Sequence, residues 1–407
     1  MNRNDLPRLA AAALARHLRA MPVTVLSGAR QAGKSTLAQE AGGGGRTFLS
    51  LDDASVADLA AQDPSALLEG DAPLTIDEVQ LAPGLLRAVK RSVDRRRRNG
   101  QMLLTGSANL LTMSKVTESL AGRASYLTLW PMTRREQRGL GRAGLWSELL
   151  AVPDRQWLDL VSSDRTGPED WRALARRGGF PTPALQLPDA EDRTIWFEGY
   201  VRTYLERDIR ALANVSSLPD FRRLMRAAAL RVGQMLNQSE LGRDVGMPQP
   251  TVHRHLNLLE TSYMLVRVPA FAANRTSRLV KTPKLYWADT GVALHLSGAA
   301  EPGGAHLESL VLQDLLAWRD VQPRRAEVCY WRSATGLEVD FVIESGDNLL
   351  PIEVKATARP GVNDTSGLRA FREKYGKRAR AGLLLHDGKE TSWILPGILA
   401  APWWKVL

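Results

Sequence analysis

The sequence predicts an α/β chain: a parallel sheet covered by helices on both faces, then a helical segment, a helix-turn-helix unit and a second α/β unit. Three observations predict it. Five short apolar runs in the first third alternate with helical stretches, the pattern of a parallel sheet built from crossover connections. Four of those runs end in glycine, acidic or small polar residues, which is where such sheets place ligands. Beyond residue 133 the pattern turns helical, and strand-like runs return in force only near residue 327.

The elements follow in order. Residues 6–20 read as a short amphipathic helix leading into the first strand, PVTVLSG (22–28). A glycine-containing loop follows, and a helix starts near Lys34. GRTFLSLDD (45–53), APLTIDEVQ (72–80), QMLLTGSANL (101–110) and ASYLTLWPM (124–132) read as strands two to five. The clearest helix of the next segment is TIWFEGYVRTYLERDIRAL (194–212). Residues 239–260 read as two helices about a turn at Gly246, with a β-hairpin after them. A helix at 306–319 and strands at 327–332, 337–344 and 349–356 complete the pattern. The chain has 407 residues, too many for one core. The expected domains are 1–132, 133–233, 234–290 and 291–407.

Bulk composition narrows the function. Hydrophobic residues make up 44% and charged residues 24%, the balance of a globular rather than a disordered chain. The formal net charge of +10 suggests a polyanionic partner, with DNA first, or else an arginine-rich composition without a partner. Cys329 is the one cysteine, so neither an internal disulfide nor a CxxC metal pair is available. No run is apolar enough for a membrane span, and the first residues lack a signal-like apolar stretch; a soluble, cytoplasmic chain is expected.

Gly28-Ala29-Arg30-Gln31-Ala32-Gly33-Lys34-Ser35 matches GxxxxGK[ST], after a strand and at the opening of a helix. Glycines there let backbone N–H groups wrap phosphates, and the helix N-terminus adds its dipole. The cofactors implied are ATP and Mg²⁺, with Gly28 through Thr36 around the nucleotide. Lys34 would reach the β- and γ-phosphates and Ser35 would ligate the metal. Asp77 would hold Mg²⁺, and Glu78 would orient the attacking water. Ser107 or Asn109 would sense the γ-phosphate, or else cap a strand end. Arg123, between a helix and the fifth strand, suits an arginine finger acting on a neighbouring subunit's ATP, or an ordinary surface arginine. The run Arg95 to Arg98, read as helical, suits a DNA-facing surface or a solvated helix face.

In the helix-turn-helix, Gln249, Thr251, His253 and Arg254 would face a DNA groove, with a wing tip at 270–275 and with Arg275, Arg278 and Lys281 on phosphate. The alternative is a winged helix used only for packing. Glu308, Asp340, Glu353 and Lys355 are spaced like the core of a PD-(D/E)xK nuclease. Asp340 and Glu353 can share a divalent metal with Glu308 completing its shell, and strand alternation puts Lys355 on the same face as Glu353. The same set can also form an ion-pair network, bind DNA without cutting it, or mediate oligomer contacts.

VLSGARQAGKSTLAQ, FLSLDD, LTIDEVQ, LLTGSAN and SLAGR together resemble the AAA-type ATPases of bacteria and archaea that carry a C-terminal domain of unknown function. TYLERDI (203–209), KLYWADTG (284–291) and GLEVDFVI with PIEVKA (336–356) extend the resemblance over nearly the whole chain. It implies an AAA+ P-loop ATPase core; the arginine-finger reading of Arg123 adds self-association into a ring such as a hexamer. It fits DNA remodelling or translocation in repair, junction processing or defence, an ATP-gated nuclease, or a nucleotide-switched scaffold that binds protein. A second sensor arginine is not obvious; Arg202, Arg207 and Arg210 are the candidates.

Overall fold

The computed structural model describes residues 6–41, 45–106, 120–204, 217–324 and 326–407, with the backbone alone of Arg275 and Leu279. α1 (Ala10–Ala20) leads to β1 (Val23–Ser27), and α2 (Lys34–Glu40) follows. β2 (Thr47–Ser50), α3 (Ala54–Gln62), β3 (Leu74–Asp77), α4 (Leu85–Arg95), β4 (Met102–Gly106) and β5 (Ala124–Thr128) complete the first unit. The five strands form one all-parallel sheet in the order β2-β3-β4-β1-β5. Alternation divides its core. Val23, Val25, Ile76 and Leu104 pack against Leu85, Leu86 and Val89 of α4, while Leu26, Leu103 and Leu127 pack against Leu14 of α1 and Leu37 of α2. With both faces covered, the central strands β1 and β4 are buried along their whole length, while the edge strands β2 and β5 are partly exposed.

After β5 the chain turns helical, with short helices up to residue 186 and then α5 (Ala190–Thr203). α6 (Leu218–Ala229), α7 (Gln238–Val245) and α8 (Gln249–Thr261) follow. Gly246 ends α7 in the left-handed conformation at φ 69°, which makes the turn between the two helices. β6 (Leu265–Val268) and β7 (Lys284–Trp287) pair antiparallel. Their connection, over which a wing tip is expected at 270–275, carries a short helix, Arg275–Val280, capped by Asn274.

α9 (Thr290–Ser297) and α10 (Gly304–Val321) lead to a six-stranded mixed sheet. Its strands are β8 (Glu327–Arg332), β9 (Glu338–Ser345), β10 (Asn348–Lys355), β11 (Gly382–His386), β12 (Ser392–Leu395) and β13 (Ile398–Pro402). β8–β10 lie within one residue of expectation, whereas no strand is expected over β11–β13. One continuous apolar cluster runs from Trp146 and Trp171 through α6–α10 to Trp403 and Leu407. Two buried arginines close it. Arg134 donates to the carbonyls of Trp404 (2.7 Å) and Leu407 (2.8 Å), and Arg135 donates to Asp164 (3.0 Å) and to the Lys405 carbonyl (3.1 Å).

Candidate functional site

Two glycines and one left-handed residue shape the loop between β1 and α2. Gly28 stands at φ 149°, Gly33 at φ 94° and Gln31 at φ 59°. Gly33 is the N-cap of α2, so the helix's unpaired N–H groups meet the end of the loop, the arrangement that holds phosphate. Ala29 and Ala32 are buried, Arg30 and Ser35 half-buried, and Gln31 and Thr36 exposed. Lys34 is buried, and its Nζ donates to the carbonyls of Gly28 (3.2 Å) and Ala29 (2.8 Å). Its ammonium therefore sits inside the curl of the loop.

Asp77, buried at the end of β3, accepts a hydrogen bond from the Thr105 hydroxyl of β4. The same hydroxyl oxygen accepts from the Glu78 backbone N–H at 3.4 Å. Glu78 takes a left-handed φ of 56°, which turns its side chain away from the strand direction, and its carboxylate accepts from Gln80. Left-handed backbone at a non-glycine is uncommon and costs about 1–3 kcal/mol, so it persists where the surroundings impose it. Thr105 stands in LLTGSAN beside the residues the sequence singles out, yet a threonine in a buried strand carries no signal of its own. Ser107, Asn109, Arg207 and Arg210 lie outside the described residues; Arg202 is exposed on α5.

Arg8 is a further participant that no motif marks. Its guanidinium donates to the Ala32 carbonyl in the loop (2.8 Å), to the Trp130 carbonyl (2.8 Å) and to Glu136 (3.0 Å). Beside it, Leu6, Thr36, Leu37, Met132, Pro181 and Leu185 line a hollow against the outer face of α2.

Arg123 stands at the other end of the sheet. Its carbonyl accepts from Val23 N–H (3.2 Å) at the start of β1, on the order of 15 Å of strand away from the loop. Its guanidinium is bidentate to Asp94 of its own chain (2.6 and 3.0 Å). The arginine run is not a helix face: α4 ends at Arg95, Arg96 and Arg98 pair with Asp71, and Arg97 donates to the Gly122 carbonyl (3.3 Å).

On α8, Gln249, His253 and Arg254 are exposed and Thr251 is half-buried. Gln238 of α7 joins Gln249 (3.3 Å) and His253 (3.2 Å), and Asn257 joins His253 (3.1 Å), so this face is a polar network. Lys281 is exposed. Arg278 is not a phosphate contact. It is buried, bonded to Glu344 (2.5 Å) and Glu327 (2.6 Å), and its guanidinium lies over the Phe271 ring. The structure describes only the backbone of Arg275.

The C-terminal unit does bring Glu308, Asp340, Glu353 and Lys355 to one place, but a lysine from another element enters it. Lys284 of β7 is buried, with Nζ 3.2 Å from Asp340, 4.0 Å from Glu308 and in contact with Glu338. Asp340 also accepts from Val354 N–H (2.9 Å), Glu308 accepts from the Tyr286 hydroxyl (2.8 Å), and Glu353 pairs with Lys355 (2.7 Å). Burial alone would lower the Lys284 ammonium, but Asp340, Glu308 and Glu338 outweigh it and hold the proton on. The expected metal set is thus corrected: an ammonium stands among these acids. Among the described residues no three histidine, cysteine, aspartate or glutamate side chains are arranged to hold a metal ion.

Three family models match the sequence: an AAA domain over residues 20–137, a domain of unknown function (DUF8612) over 168–303, and another (DUF4143) over 303–406. Uncharacterized proteins of Mycobacterium bovis and Mycobacterium tuberculosis are each 31% identical over 367 residues, 88% of this chain and 75% of theirs. An uncharacterized protein of Haemophilus influenzae is 23% identical over 410 residues, 93% of this chain and 94% of its own. Among solved structures, a Walker-type ATPase of Pyrococcus abyssi covers 72% of this chain and 99% of its own, at 18% identity and a TM-score of 0.45. No helix among the described residues is long and apolar enough to cross a membrane.

Proposed function

We propose, from the premise that the chain belongs to the family of AAA-domain proteins that includes these mycobacterial relatives, that it hydrolyses ATP and that turnover serves DNA held on the helix-turn-helix unit. One observation carries the ATPase reading. The glycine-shaped loop with Lys34, Thr105, and the pair Asp77–Glu78 stand at the carboxyl ends of three adjacent strands, β1, β4 and β3. The residues fit the nucleotide they imply: the loop runs into the N-terminus of α2 with the Lys34 ammonium inside its curl, and Asp77 is already oriented by Thr105. Ser35 and Asp77 would hold Mg²⁺, which when bound neutralises charge between the β- and γ-phosphates. Lys34 takes phosphate charge, Glu78 orients water, and the hollow beside α2 receives the base.

Glu78→Gln tests the hydrolytic assignment. It is expected to keep nucleotide affinity within about threefold of wild type and to lose at least about a hundredfold in turnover, the usual worth of a positioned base. Unchanged phosphate release by this variant would remove Glu78 from the role.

The DNA reading rests on the net charge of +10 and on the exposed polar face of α8. We read residues 234–290 as a winged helix and the C-terminal unit as PD-(D/E)xK-like in fold, with Lys284 standing against metal-dependent cutting. Arg123, remote from its own loop, is assigned to a neighbouring subunit's nucleotide in a ring. The experiment is ATP turnover with linear, single-stranded and branched DNA, with Lys34→Ala as the blank. Stimulation by one form, weakening with salt, supports a DNA-dependent motor. Turnover indifferent to every form ends the DNA reading and favours a nucleotide-switched scaffold for a protein partner.

A further inference from the structure

Two tyrosine hydroxyls join the nucleotide loop to the turn that ends α8. Tyr263 Oη lies 2.8 Å from the hydroxyl of Ser27, the residue immediately before Gly28. Tyr200 Oη, on α5, lies 3.3 Å from the Arg30 carbonyl and 3.4 Å from Met264 Sδ. The first half of the loop is therefore gripped at both ends, at residues 27 and 30, by groups that meet at residues 263–264.

Tyr263 is built to be held there. Among the described residues it is one of three non-glycine residues with positive φ, at 56°, a conformation that a bulky side chain keeps only where its surroundings over-determine it. The Trp130 indole packs edge-on against its ring at 5.9 Å, and Trp130 Nε1 donates to Asp320 of α10 at 2.8 Å. Met264 N–H bonds the Leu259 carbonyl of α8 (3.0 Å), and β6 begins at the next residue, so a shift of Tyr263 moves α8 and β6 together. The other two left-handed residues, Gln31 and Glu78, both belong to the nucleotide site. Tyr263 shares their conformation from a position far beyond both in sequence.

We infer that Tyr263 is a positioning residue that couples occupancy of the nucleotide loop to the helix-turn-helix unit. The loop that wraps phosphate and the seating of α8 meet directly through Tyr263 on Ser27, while Tyr200 bridges the Arg30 carbonyl to Met264. The inference rests on the loop being a nucleotide site and not on DNA as the partner. Coupling of this kind is reciprocal: whatever binds α8 changes nucleotide affinity by the factor by which nucleotide changes its own.

The test is amide hydrogen exchange of the full chain with and without ADP or a non-hydrolysable ATP analogue and Mg²⁺. In the wild type, nucleotide is expected to slow exchange at residues 28–36 and also at 258–268. In Tyr263→Phe the first response stays and the second is lost, while nucleotide affinity falls about fivefold, the worth of one buried neutral hydrogen bond. Ser27→Ala removes the other half of the contact, and it is expected to do the same should the tyrosine variant fold poorly. The double variant is expected to add nothing to either. Wild-type exchange at 258–268 that ignores nucleotide, while 28–36 responds, overturns the coupling and leaves the nucleotide site standing. A wild-type response kept intact in both single variants overturns the role of Tyr263. No response at 28–36 removes the nucleotide reading and the coupling with it.

Discussion

Gly28→Ala is expected to reduce nucleotide affinity by more than about a hundredfold while the chain stays folded. A Cβ at this position would lie 2.2 Å from the Leu129 carbonyl oxygen, closer than any real contact. The carbonyl cannot retreat cheaply, because Leu129 N–H is bonded to the Ser27 carbonyl at 2.7 Å, next to the substituted residue. The backbone adds its own penalty, since φ of 149° belongs to the region glycine alone visits freely. The loop must therefore change course where it leaves β1, and both carbonyls that hold Lys34, those of Gly28 and Ala29, move with it. Gly122→Ala is the control: it too has positive φ (69°), but nothing lies within 4 Å of its Cβ. Titration with a fluorescent ATP analogue decides the matter. Affinity within a few fold of wild type in Gly28→Ala would mean that the loop does not wrap phosphate.

Lys284→Met is expected to lower stability by about 3 kcal/mol at neutral pH, the usual consequence of removing one partner of a buried ionic set. Methionine nearly fills the volume but leaves Asp340 and Glu338 uncompensated. The cluster is already short of positive charge: burial, and then Asp340 beside them, push the carboxyls of Glu308 and Glu353 up to about 8. One Glu353 oxygen has no hydrogen-bond partner. The sign of the pH dependence follows. A carboxyl whose folded pKa lies above its unfolded value, about 4.3, contributes stability fully below that value, and the contribution fades as pH rises through the folded one. Wild-type stability should therefore decline from pH 4.3 to about 8 through these two groups. Glu353→Gln mimics the protonated side chain, so it should flatten the decline and be the more stable chain at the alkaline end. Urea denaturation at acid, neutral and alkaline pH reads both variants. Equal stability of Lys284→Met and wild type across the range would show that the ammonium contributes nothing.

What the sequence reveals and what it hides separate along local and non-local lines. The five parallel strands and the loop residues were legible because apolar runs, glycines and GxxxxGK lie within a few consecutive residues. The two helices about Gly246 were legible for the same reason. Arg278 reads as a phosphate contact because basic residues after a helix-turn-helix look like one, while its partners Glu327 and Glu344 stand 49 and 66 residues away. Lys284 reads as an unremarkable residue of KLYW until β7 is laid beside β9. Arg8 and Thr105 act through backbone carbonyls and a buried acid, which no spacing announces. β11 and β13, GLLLH and ILAAP, are short uniformly apolar runs without the alternation that separates strand from helix.

The hold of Arg134 and Arg135 on the carbonyls of residues 404–407 bears on how such a chain changes over generations. The four-residue turn after the nucleotide sheet and the strand-and-helix unit some 270 residues later are written far apart in the gene but meet as lock and bolt. A C-terminal unit borrowed from another lineage would arrive without its matching arginines, and the arginines left behind would keep only Glu169 and Asp164 as charged partners. Exchange of parts is thereby penalised at one end of the molecule. The exposed face of α8, which no such bond constrains, is left as the place where inheritance can experiment with partners.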